Sequence, residues 1–293
     1  MSKKKIRFIT NPFSGPKSGV KIDELIQSHI DEDMYNYEIS YTEYAGHATI
    51  LAKEAVMDEY FAVIAVGGDG TINEVGSSLV NTKTALGIIP LGSGNGFSYH
   101  IGIRRNIITA IQTLNTCHLV PIDTGVANGR FFINVAGLGL DATVAYRTKL
   151  NSRRGFIPYF LNTLKESLNF KYLSLHIKTA ENEWEGEYAM AVIANGSVYG
   201  YDFTIAPQAL LNDGQFDIVL IKKTQVFRYF LLVPRMLNKS IHKSPLVKYF
   251  KTSEITILNK AGGYFHVDGE GFECDESIHF KVLPSSILLL SNV

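Results

Sequence analysis

Residues 62–75 read AVIAVGGDGTINEV, and this stretch decides the fold class. The run Ala62–Val66 is continuously apolar, which is typical of a strand buried on both faces of a parallel sheet. The run stops at GGDG, residues 67–70, and apolar residues at helical spacing follow in Thr71–Val80. A buried strand, a glycine turn and a helix in this order predict a parallel sheet that is covered by helices.

The same pattern recurs on both sides of this stretch. On its N-terminal side, the spacing predicts strands at Ile6–Thr10 and Tyr37–Thr42, and helices at 22–30 and 48–60. On its C-terminal side, Ala85–Ile89 repeats the buried-strand pattern and again ends in glycines. We therefore predict an N-terminal Rossmann-like, three-layer α/β domain with a parallel sheet over residues 1–124.

After about Asp123 the pattern changes to strands separated by Gly, Asn and Asp. This change predicts a second, mainly antiparallel domain over residues 125–284. Helical patterns occur there only at 155–169 and 225–238. The predicted strands are Phe131–Ala136, Leu173–Thr179, Tyr188–Ala194, Phe216–Ile221, Ile255–Leu258 and His279–Leu283.

Composition and charge exclude several classes of protein. The chain has 293 residues with 28 basic and 28 acidic side chains, so we expect no nucleic-acid partner. Only Cys117 and Cys274 occur, with no disulfide or metal spacing, which indicates a reducing cytoplasm. No signal-peptide pattern is present, and the apolar runs are shorter than the roughly 18 residues of a membrane-spanning helix. If the substrate is a lipid, we expect a cytoplasmic protein that is peripheral to the membrane.

Three glycine-rich loops each follow a predicted strand. They read NPFSGPKSG at 11–19, GGDG at 67–70 and PLGSGNG at 90–96. Parallel sheets bind ligands at the carboxyl ends of their strands, where glycines let the backbone approach phosphate oxygens. Asp69 adds a carboxylate that suits a phosphate-bound magnesium ion. The alternative is a tight turn in which Asp69 or Thr71 caps the helix; because the feature recurs, we favour nucleotide-phosphate binding.

Other nucleotide-binding motifs are absent from the sequence. There is no Gly-Lys dipeptide, which excludes a P-loop. No G-x-G-x-x-G follows the first strand, and neither H-R-D nor D-F-G of the protein kinases occurs.

Seven motifs in order along the chain resemble one family. GGDGT alone is shared by diacylglycerol, sphingosine and NAD kinases and by phosphofructokinases, whereas the complete set is similar to the diacylglycerol kinase catalytic domain. That family includes bacterial lipid kinases and is related to the sphingosine kinases. The motifs are NPFSG at 11–15, GHA at 46–48, GGDGT at 67–71, PLGSGN at 90–95, FFINVAGLGLDA at 131–142, PQALLNDGQFD at 207–217 and VDGE at 267–270.

The resemblance implies an ATP-dependent kinase that phosphorylates the hydroxyl of a diacylglycerol-like lipid. It implies a C-terminal β-sandwich domain, the return of 285–293 to the first domain, an active site between the domains and a possible homodimer. Glu270 would be the general base, Asp69 would hold the magnesium ion of the nucleotide, and Asp213 would hold a structural magnesium ion. The expected nucleotide-binding residues are Asn11, Lys17, Thr42, Gly67, Gly68, Gly70, Thr71, Gly92, Ser93, Gly94 and Asn95.

Several alternatives stay open at this level. Glu270 and Asp213 both lie beside glycine in good turn sequences, and Asp268 is expected to be a turn residue without chemistry. Many bacterial lipid kinases have an acidic residue where this chain has Gly96, which leaves the lipid substrate open. NAD kinase and a non-catalytic nucleotide- or lipid-binding protein are the competing functions. The apolar clusters at 153–160 and 227–232 are candidates for membrane contact or for core packing.

Overall fold

The computed structural model describes residues 3–15, 21–104, 106–150, 172–200, 202–260, 262–274 and 276–292, without the side chains of 148–150. The chain forms two compact units. The first comprises Met1–Ile122 and Ser285–Val293, and the second comprises Asp123–Pro284. The confirmed fold class is an N-terminal α/β unit with a parallel sheet and a C-terminal β-sandwich.

The first unit contains a parallel sheet in the order β2-β1-β3-β4. Its strands are β1 (Lys4–Thr10), β2 (Tyr35–Tyr41), β3 (Ala62–Gly67) and β4 (Ala85–Pro90), followed by the start of β5 (His118–Ala127). Its helices are α1 (Ile22–His29), α2 (His47–Met57), α3 (Asp69–Leu79), α4 (Gly96–His100) and α5 (Ile107–Leu114).

Helices cover both faces of this sheet. Alternate sheet residues such as Phe8 and Ile64 pack with Ile26 of α1 and Ile111 of α5 in one core. The intervening sheet residues are buried on the opposite face, since successive strand side chains alternate. Helices α2 and α3 contact each other and the strands β1, β3 and β4. This arrangement is the predicted three-layer order of helix, sheet and helix.

The second unit consists mainly of antiparallel strands. These are β6 (Arg130–Phe132), β7 (Val135–Gly139), β8 (Leu173–Lys178), β9 (Glu183–Ala194), β10 (Val198–Gly200), β11 (Phe203–Thr204), β12 (Phe216–Lys222), β13 (Val247–Thr252), β14 (Glu254–Leu258), β15 (Gly263–Val267), β16 (Glu270–Cys274) and β17 (Ser277–Ser291). Its helices are α6 (Leu140–Leu150), α7 (Val226–Tyr229) and α8 (Leu232–Leu237), followed by a 3₁₀ turn at Ile241–Lys243.

Strand β9 belongs to both layers of the sandwich. Its N-terminal half pairs with β8, whereas its C-terminal half pairs with β7 on one side and β12 on the other. Residues from both layers, such as Leu175, Ile218 and Phe280, share one buried core. The outer face of β7, β9 and β12 is covered in a second core by residues that include Ile205, Leu232 and Ile241.

The last strand, β17, pairs in both units. Residues 277–281 pair antiparallel with β14 in the second unit. Leu289 pairs parallel with Leu86 of β4 in the first unit.

Two predicted elements are divided in the structure. The strand expected at Phe131–Ala136 is split into β6 and β7, because the backbone amides of Ile133 and Asn134 bond to a distant carboxylate rather than to a strand. The helix expected at 225–238 is split into α7 and α8. Pro234 has no N–H for the carbonyl of Phe230, so the helical bonding is interrupted there. The helix predicted at 155–169 lies outside the described residues.

Candidate functional site

The second and third predicted glycine loops and the described part of the first, residues 11–15, lie at one edge of the first unit. Strands β1, β3 and β4 are adjacent and parallel, so their carboxyl ends meet at the same edge of the sheet. The Asn11 amide donates to the Val66 carbonyl at 3.0 Å, and the Leu91 amide donates to the Gly67 carbonyl at 2.8 Å. We call residues 11–15, 67–71 and 91–95 the glycine-loop edge.

Two glycines allow the second and third loops to touch through their backbones. A Cβ atom on Gly92 would lie 2.6 Å from the Cα atom of Gly68, closer than real contacts allow. A Cβ atom on Gly68 would lie 3.2 Å from the Cα atom of Gly92. The sequence therefore needs glycine here for close approach of two loops, which leaves a surface of backbone rather than side chains.

Asp69 is the first residue of α3 and lies beside the third loop. A Cβ atom on Gly94 would lie 3.2 Å from its Oδ2 atom, so a side chain at that position would crowd the carboxylate. Asp69 is partly exposed, and Gly70 next to it is exposed. A single carboxylate beside backbone amides fits a magnesium ion that is held mainly by phosphate oxygens.

Asn11 and Thr71 connect the first loop to the start of α3. Asn11 Nδ2 donates to Thr71 Oγ1 over 3.3 Å, and Asn11 Oδ1 accepts from the Phe13 amide over 2.9 Å. Thr42 follows β2, the neighbouring strand, and its buried amide donates to the Thr10 carbonyl at 2.9 Å. The structure thus brings Asn11 and Thr71 into direct contact and holds Thr42 at the end of the adjacent strand.

Asn95 shapes the third loop. It adopts a left-handed backbone conformation with φ 52° and caps α4. Its side-chain Nδ2 donates to the Gly92 carbonyl at 2.7 Å, which curls the loop around the exposed Ser93. Its fully buried Oδ1 accepts no hydrogen bond from the described residues. Lys17, which was also predicted to bind nucleotide, lies outside those residues.

Glu74 has a role that the sequence did not indicate. Its carboxylate accepts hydrogen bonds from the Gly46 amide at 3.0 Å and from the Ala48 amide at 3.2 Å, at the start of α2. A carboxylate at this position satisfies free amides of the helix end and opposes its positive dipole. The GHA and GGDGT motifs are therefore joined through Glu74, over a sequence separation that no local pattern reveals.

In the second unit, Glu270 begins β16 next to a tight turn. Val267 pairs with Glu270 across the β15–β16 hairpin, and only Asp268 and Gly269 connect them. Both have positive φ, 47° and 84°, as a two-residue Asp-Gly hairpin turn requires. Glu270 is exposed. Gly271 behind it has no space for a side chain, because a Cβ atom would lie 2.4 Å from the Tyr146 amide nitrogen.

Asp268 does more than form a turn. Its Oδ1 accepts from the amides of Asn134 and Val135 at 2.9 and 3.0 Å, and its Oδ2 accepts from the Ile133 amide at 2.9 Å. Charge-assisted bonds of this kind are stronger than neutral ones. The carboxylate therefore fixes the hairpin that carries Glu270 against the segment between β6 and β7.

A buried pair joins β15 of this hairpin to the motif segment 131–142. His266 of β15 contacts Asp141 of α6, with 3.0 Å between Nε2 and Oδ2. The Tyr199 hydroxyl donates to the same carboxylate at 2.7 Å, and the Ala142 amide donates to its other oxygen at 2.8 Å. This network ties β15 to the start of α6.

Asp213 lies in a charged cluster with a lysine at its centre. Lys251 Nζ donates to Asp213 Oδ2 at 2.7 Å, to Asp217 Oδ2 at 2.8 Å and to the Gln208 carbonyl at 3.1 Å. The Tyr249 hydroxyl donates to the other oxygen of Asp217, which is fully buried. We call Asp213, Asp217, Tyr249 and Lys251 the Lys251 cluster.

Burial and hydrogen bonds within this cluster shift the pKa values of Asp217 and Lys251. Burial raises the pKa of Asp217, although hydrogen bonds from Lys251 and Tyr249 act in the opposite direction. Burial acts to lower the pKa of Lys251, but its bonds to Asp213 and Asp217 outweigh this and raise the pKa above its ordinary value.

The Lys251 cluster does not fit the structural magnesium ion expected at Asp213. An ammonium group has three donors, and three oxygens accept them at hydrogen-bond distances. The second oxygen of Asp213 accepts from the Gln215 amide at 3.1 Å. Magnesium needs oxygen ligands at about 2.0–2.1 Å, and these oxygens already bind N–H groups. Among the described residues, no group of three or more His, Cys, Asp or Glu side chains is suited to a metal ion.

Among the described residues, no helix has both the length and the apolar character needed to cross a membrane.

The predicted site residues fall into separate sets, with Asp69 and the glycines in the first unit and Glu270 and Asp213 in the second. Their individual roles stay predictions.

Family models of known proteins match both the N-terminal and the C-terminal part of the chain. Residues 5–127 match the diacylglycerol kinase catalytic domain, and residues 134–291 match the YegS C-terminal NAD kinase beta sandwich-like domain. A diacylglycerol kinase of Bacillus subtilis (strain 168) is 31% identical over 273 residues, which cover 91% of this chain and 90% of the relative. One of Staphylococcus epidermidis (strain RP62A) is 30% identical over 275 residues, which cover 92% and 86%.

A solved structure shows the same fold. The crystal structure of a diacylglycerol kinase from Bacillus anthracis str. Sterne superposes with a TM-score of 0.79 at 21% identity, over 100% of this chain and 98% of the other. The matches confirm the prediction of a kinase. The chain therefore belongs to the diacylglycerol kinase family.

Proposed function

We propose that this protein transfers the γ-phosphoryl group of ATP to the hydroxyl group of a diacylglycerol-like lipid. The observation that carries the proposal is the meeting of three glycine loops at one sheet edge, with the Asp69 carboxylate beside Gly94. The relatives named diacylglycerol kinase support the lipid as acceptor.

The proposed chemistry asks mainly for positioning and charge neutralisation. Backbone amides at the start of α3 and in the neighbouring loops would bind phosphate oxygens, because the glycines leave the backbone accessible. Asn11 and Thr71, held together by their hydrogen bond, would position the nucleotide. Asp69 would hold the nucleotide's magnesium ion, which neutralises phosphate charge when bound. Lys17 and Ser93 are proposed as further phosphate contacts.

We assign Glu270 as the general base that accepts the proton of the lipid hydroxyl. A hydroxyl is a weak nucleophile, so a carboxylate that removes its proton speeds transfer. Two features support the assignment. Glu270 is exposed, and its hairpin is fixed by Asp268 through three backbone amides. A rigid hairpin would present the carboxylate in a defined position.

Glu270→Gln tests this assignment. We expect the variant to bind ATP as the wild type does and to lose phosphoryl transfer by on the order of a hundredfold or more, because the amide accepts no proton at neutral pH. The measurement is transfer from radiolabelled ATP to a total lipid extract, with the product identified by mass spectrometry. Glu273→Gln, near the other end of the same strand and also exposed, is the control.

With NAD added as a second acceptor, the same assay separates the competing functions. Label in NAD rather than in lipid would identify an NAD kinase. ATP binding without transfer to any lipid would identify a non-catalytic relative. Wild-type turnover by Glu270→Gln would remove Glu270 from the mechanism while leaving the kinase activity in place.

A further inference from the structure

The segment 226–237, which contains α7 and α8, carries one buried and one exposed set of apolar residues. On the inner face, Leu232 is buried and Tyr229 and Met236 are partly buried against the outer core of the sandwich. Outward-facing apolar side chains are a separate set, with exposed fractions of 63% for Phe227, 47% for Phe230, 62% for Leu231 and 53% for Leu237. Core packing therefore explains the first set and leaves the second without a partner in the described fold.

This exposure is concentrated. Thirteen large hydrophobic side chains are exposed among the described residues, and four of them fall between Phe227 and Leu237. The segment is also anchored, since the Tyr229 hydroxyl donates to the Lys222 carbonyl at 3.2 Å and accepts from the Thr224 amide at 3.1 Å. An anchored cluster of exposed apolar residues is typical of a surface that binds a partner.

The charge of the segment indicates what kind of partner would bind to it. Residues 218–253 contain eight Lys and Arg and no Asp or Glu, in a chain whose net charge is zero. Lys223 is paired with Glu187, and Lys251 with Asp213 and Asp217. Arg228, Arg235, Lys239 and Lys243 have no ion pair within the described part of the chain. Asp202 immediately precedes β11, which packs against α8.

Basic and apolar groups share one groove. Arg228, Leu231 and Arg235 line a cavity of about 700 Å³ together with Pro234, Asn238 and Ser240. Guanidinium groups beside exposed rings and leucines match the headgroup region of an anionic bilayer, where charge binds phosphate and apolar side chains enter the acyl boundary. A second copy of the chain matches less well, because a twofold contact would place these cations against the same cations.

We propose that this basic–apolar face, formed by Phe227, Arg228, Phe230, Leu231, Arg235, Leu237, Lys239 and Lys243, docks the protein on an anionic phospholipid membrane. The proposal rests on the proposed function in one respect, namely that docking would bring the enzyme to a substrate that lies in the bilayer. Docking itself is a binding property and does not depend on turnover.

Vesicle co-sedimentation tests the proposal directly. One variant removes charge (Arg228→Gln, Arg235→Gln, Lys239→Gln and Lys243→Gln), and another removes apolar surface (Phe227→Ser and Leu231→Ser). Control variants change exposed residues elsewhere, Lys53→Gln with Lys83→Gln and Met57→Ser with Leu210→Ser. Circular dichroism and thermal unfolding establish that each variant is folded.

We expect the wild type and the controls to bind vesicles of equal phosphatidylcholine and phosphatidylglycerol, and to bind phosphatidylcholine alone at least tenfold more weakly. Each basic residue near an anionic surface contributes about fivefold in affinity, so the charge variant should lose well over tenfold. The apolar variant should also lose at least tenfold. Absence of wild-type binding, or equal binding by all variants, would overturn the proposal.

Two further readouts separate the remaining explanations. Folded docking variants should phosphorylate a short-chain, water-soluble diacylglycerol at the wild-type rate and lose activity only on vesicles. If the wild type phosphorylates neither form, the proposed function fails, whereas vesicle binding still decides the docking proposal. If the variants instead convert a dimer into monomers in analytical ultracentrifugation, the face is a contact between copies and the docking proposal is wrong.

Discussion

The glycine-loop edge of the first unit and the Lys251 cluster of the second unit are built in opposite ways. At the edge, glycines bring the backbones of the second and third loops together, and the Asp69 carboxylate lies beside Gly94. In the Lys251 cluster, the carboxylates of Asp213 and Asp217 are matched by the ammonium group of their own chain.

This difference distinguishes a ligand site from a structural ion pair. Both regions contain aspartates in motifs that resemble those of the family, so the presence of an aspartate does not by itself indicate a ligand site. In the Lys251 cluster the chain supplies its own countercharge, so a ligand has little to gain there. At the edge the chain supplies accessible backbone and one carboxylate, which is what a magnesium-bound phosphate needs.

The largest expected effect is that of Asp69→Asn on catalysis. If the edge binds a magnesium-bound triphosphate, the loss of this carboxylate should lower kcat on the order of a hundredfold to a thousandfold, as for other single electrostatic groups. The melting temperature should change little, because Asp69 is partly exposed. Steady-state kinetics with ATP and lipid give the result, and the exposed Asp58→Asn is the control. Near-wild-type kcat in Asp69→Asn would break the comparison.

Lys251→Met should act on stability instead. Removing the ammonium group leaves the buried Asp217 carboxylate without its cation, which should cost about 3 kcal/mol of unfolding free energy. Lys223→Met breaks an exposed ion pair with Glu187 and should cost less than about 1 kcal/mol. Urea unfolding of the two variants measures both effects.

Urea unfolding also tests whether Lys251 or a magnesium ion neutralises Asp213. Adding magnesium or a chelator to the nucleotide-free wild type should leave its unfolding curve unchanged. Stabilisation by magnesium that disappears in Asp213→Asn would show that a metal ion, rather than Lys251, neutralises Asp213.

Lowering the pH should have a smaller effect on stability, through His100 in α4, the helix that follows the third loop. Burial lowers the pKa of His100 to about 4, whereas the unfolded value is about 6.5. Between these values the unfolded chain binds a proton that the folded chain does not, so stability falls as the pH is lowered. The loss should be on the order of 2 kcal/mol from pH 6.5 to pH 4.

His100→Asn should remove most of this pH dependence, and the exposed His118→Asn should leave it intact. Thermal unfolding across this pH range makes the comparison. An unchanged slope in His100→Asn would mean that other groups cause the acid sensitivity.

The sequence predicted the fold well where burial dictates the pattern. The run Ala62–Val66 became β3, and Ala85–Ile89 became β4, because a strand that is covered on both faces must be apolar throughout. The fold class and the family are confirmed. The helix expected from Thr71 begins two residues earlier, at Asp69, so the glycine turn itself continues into the helix.

The candidate site was predictable only in part. The loops could be placed at one edge because they follow parallel strands, and that inference needs no side-chain detail. The bonds of Glu74 to α2, of Asp268 to residues 133–135 and of Lys251 to Asp213 join positions 26 to 135 residues apart. Such contacts depend on how the elements pack, and the local sequence carries no signal for them.

Hydrogen exchange with and without magnesium-ATP tests the central claim most directly. We expect ATP to slow exchange of the backbone amides in residues 11–15, 67–71 and 91–95, since these amides would bind phosphate oxygens. Peptides that contain Asp213, Asp217 and Lys251 should exchange at the same rate in both conditions. Binding of ATP without protection of the glycine-loop edge would contradict the account.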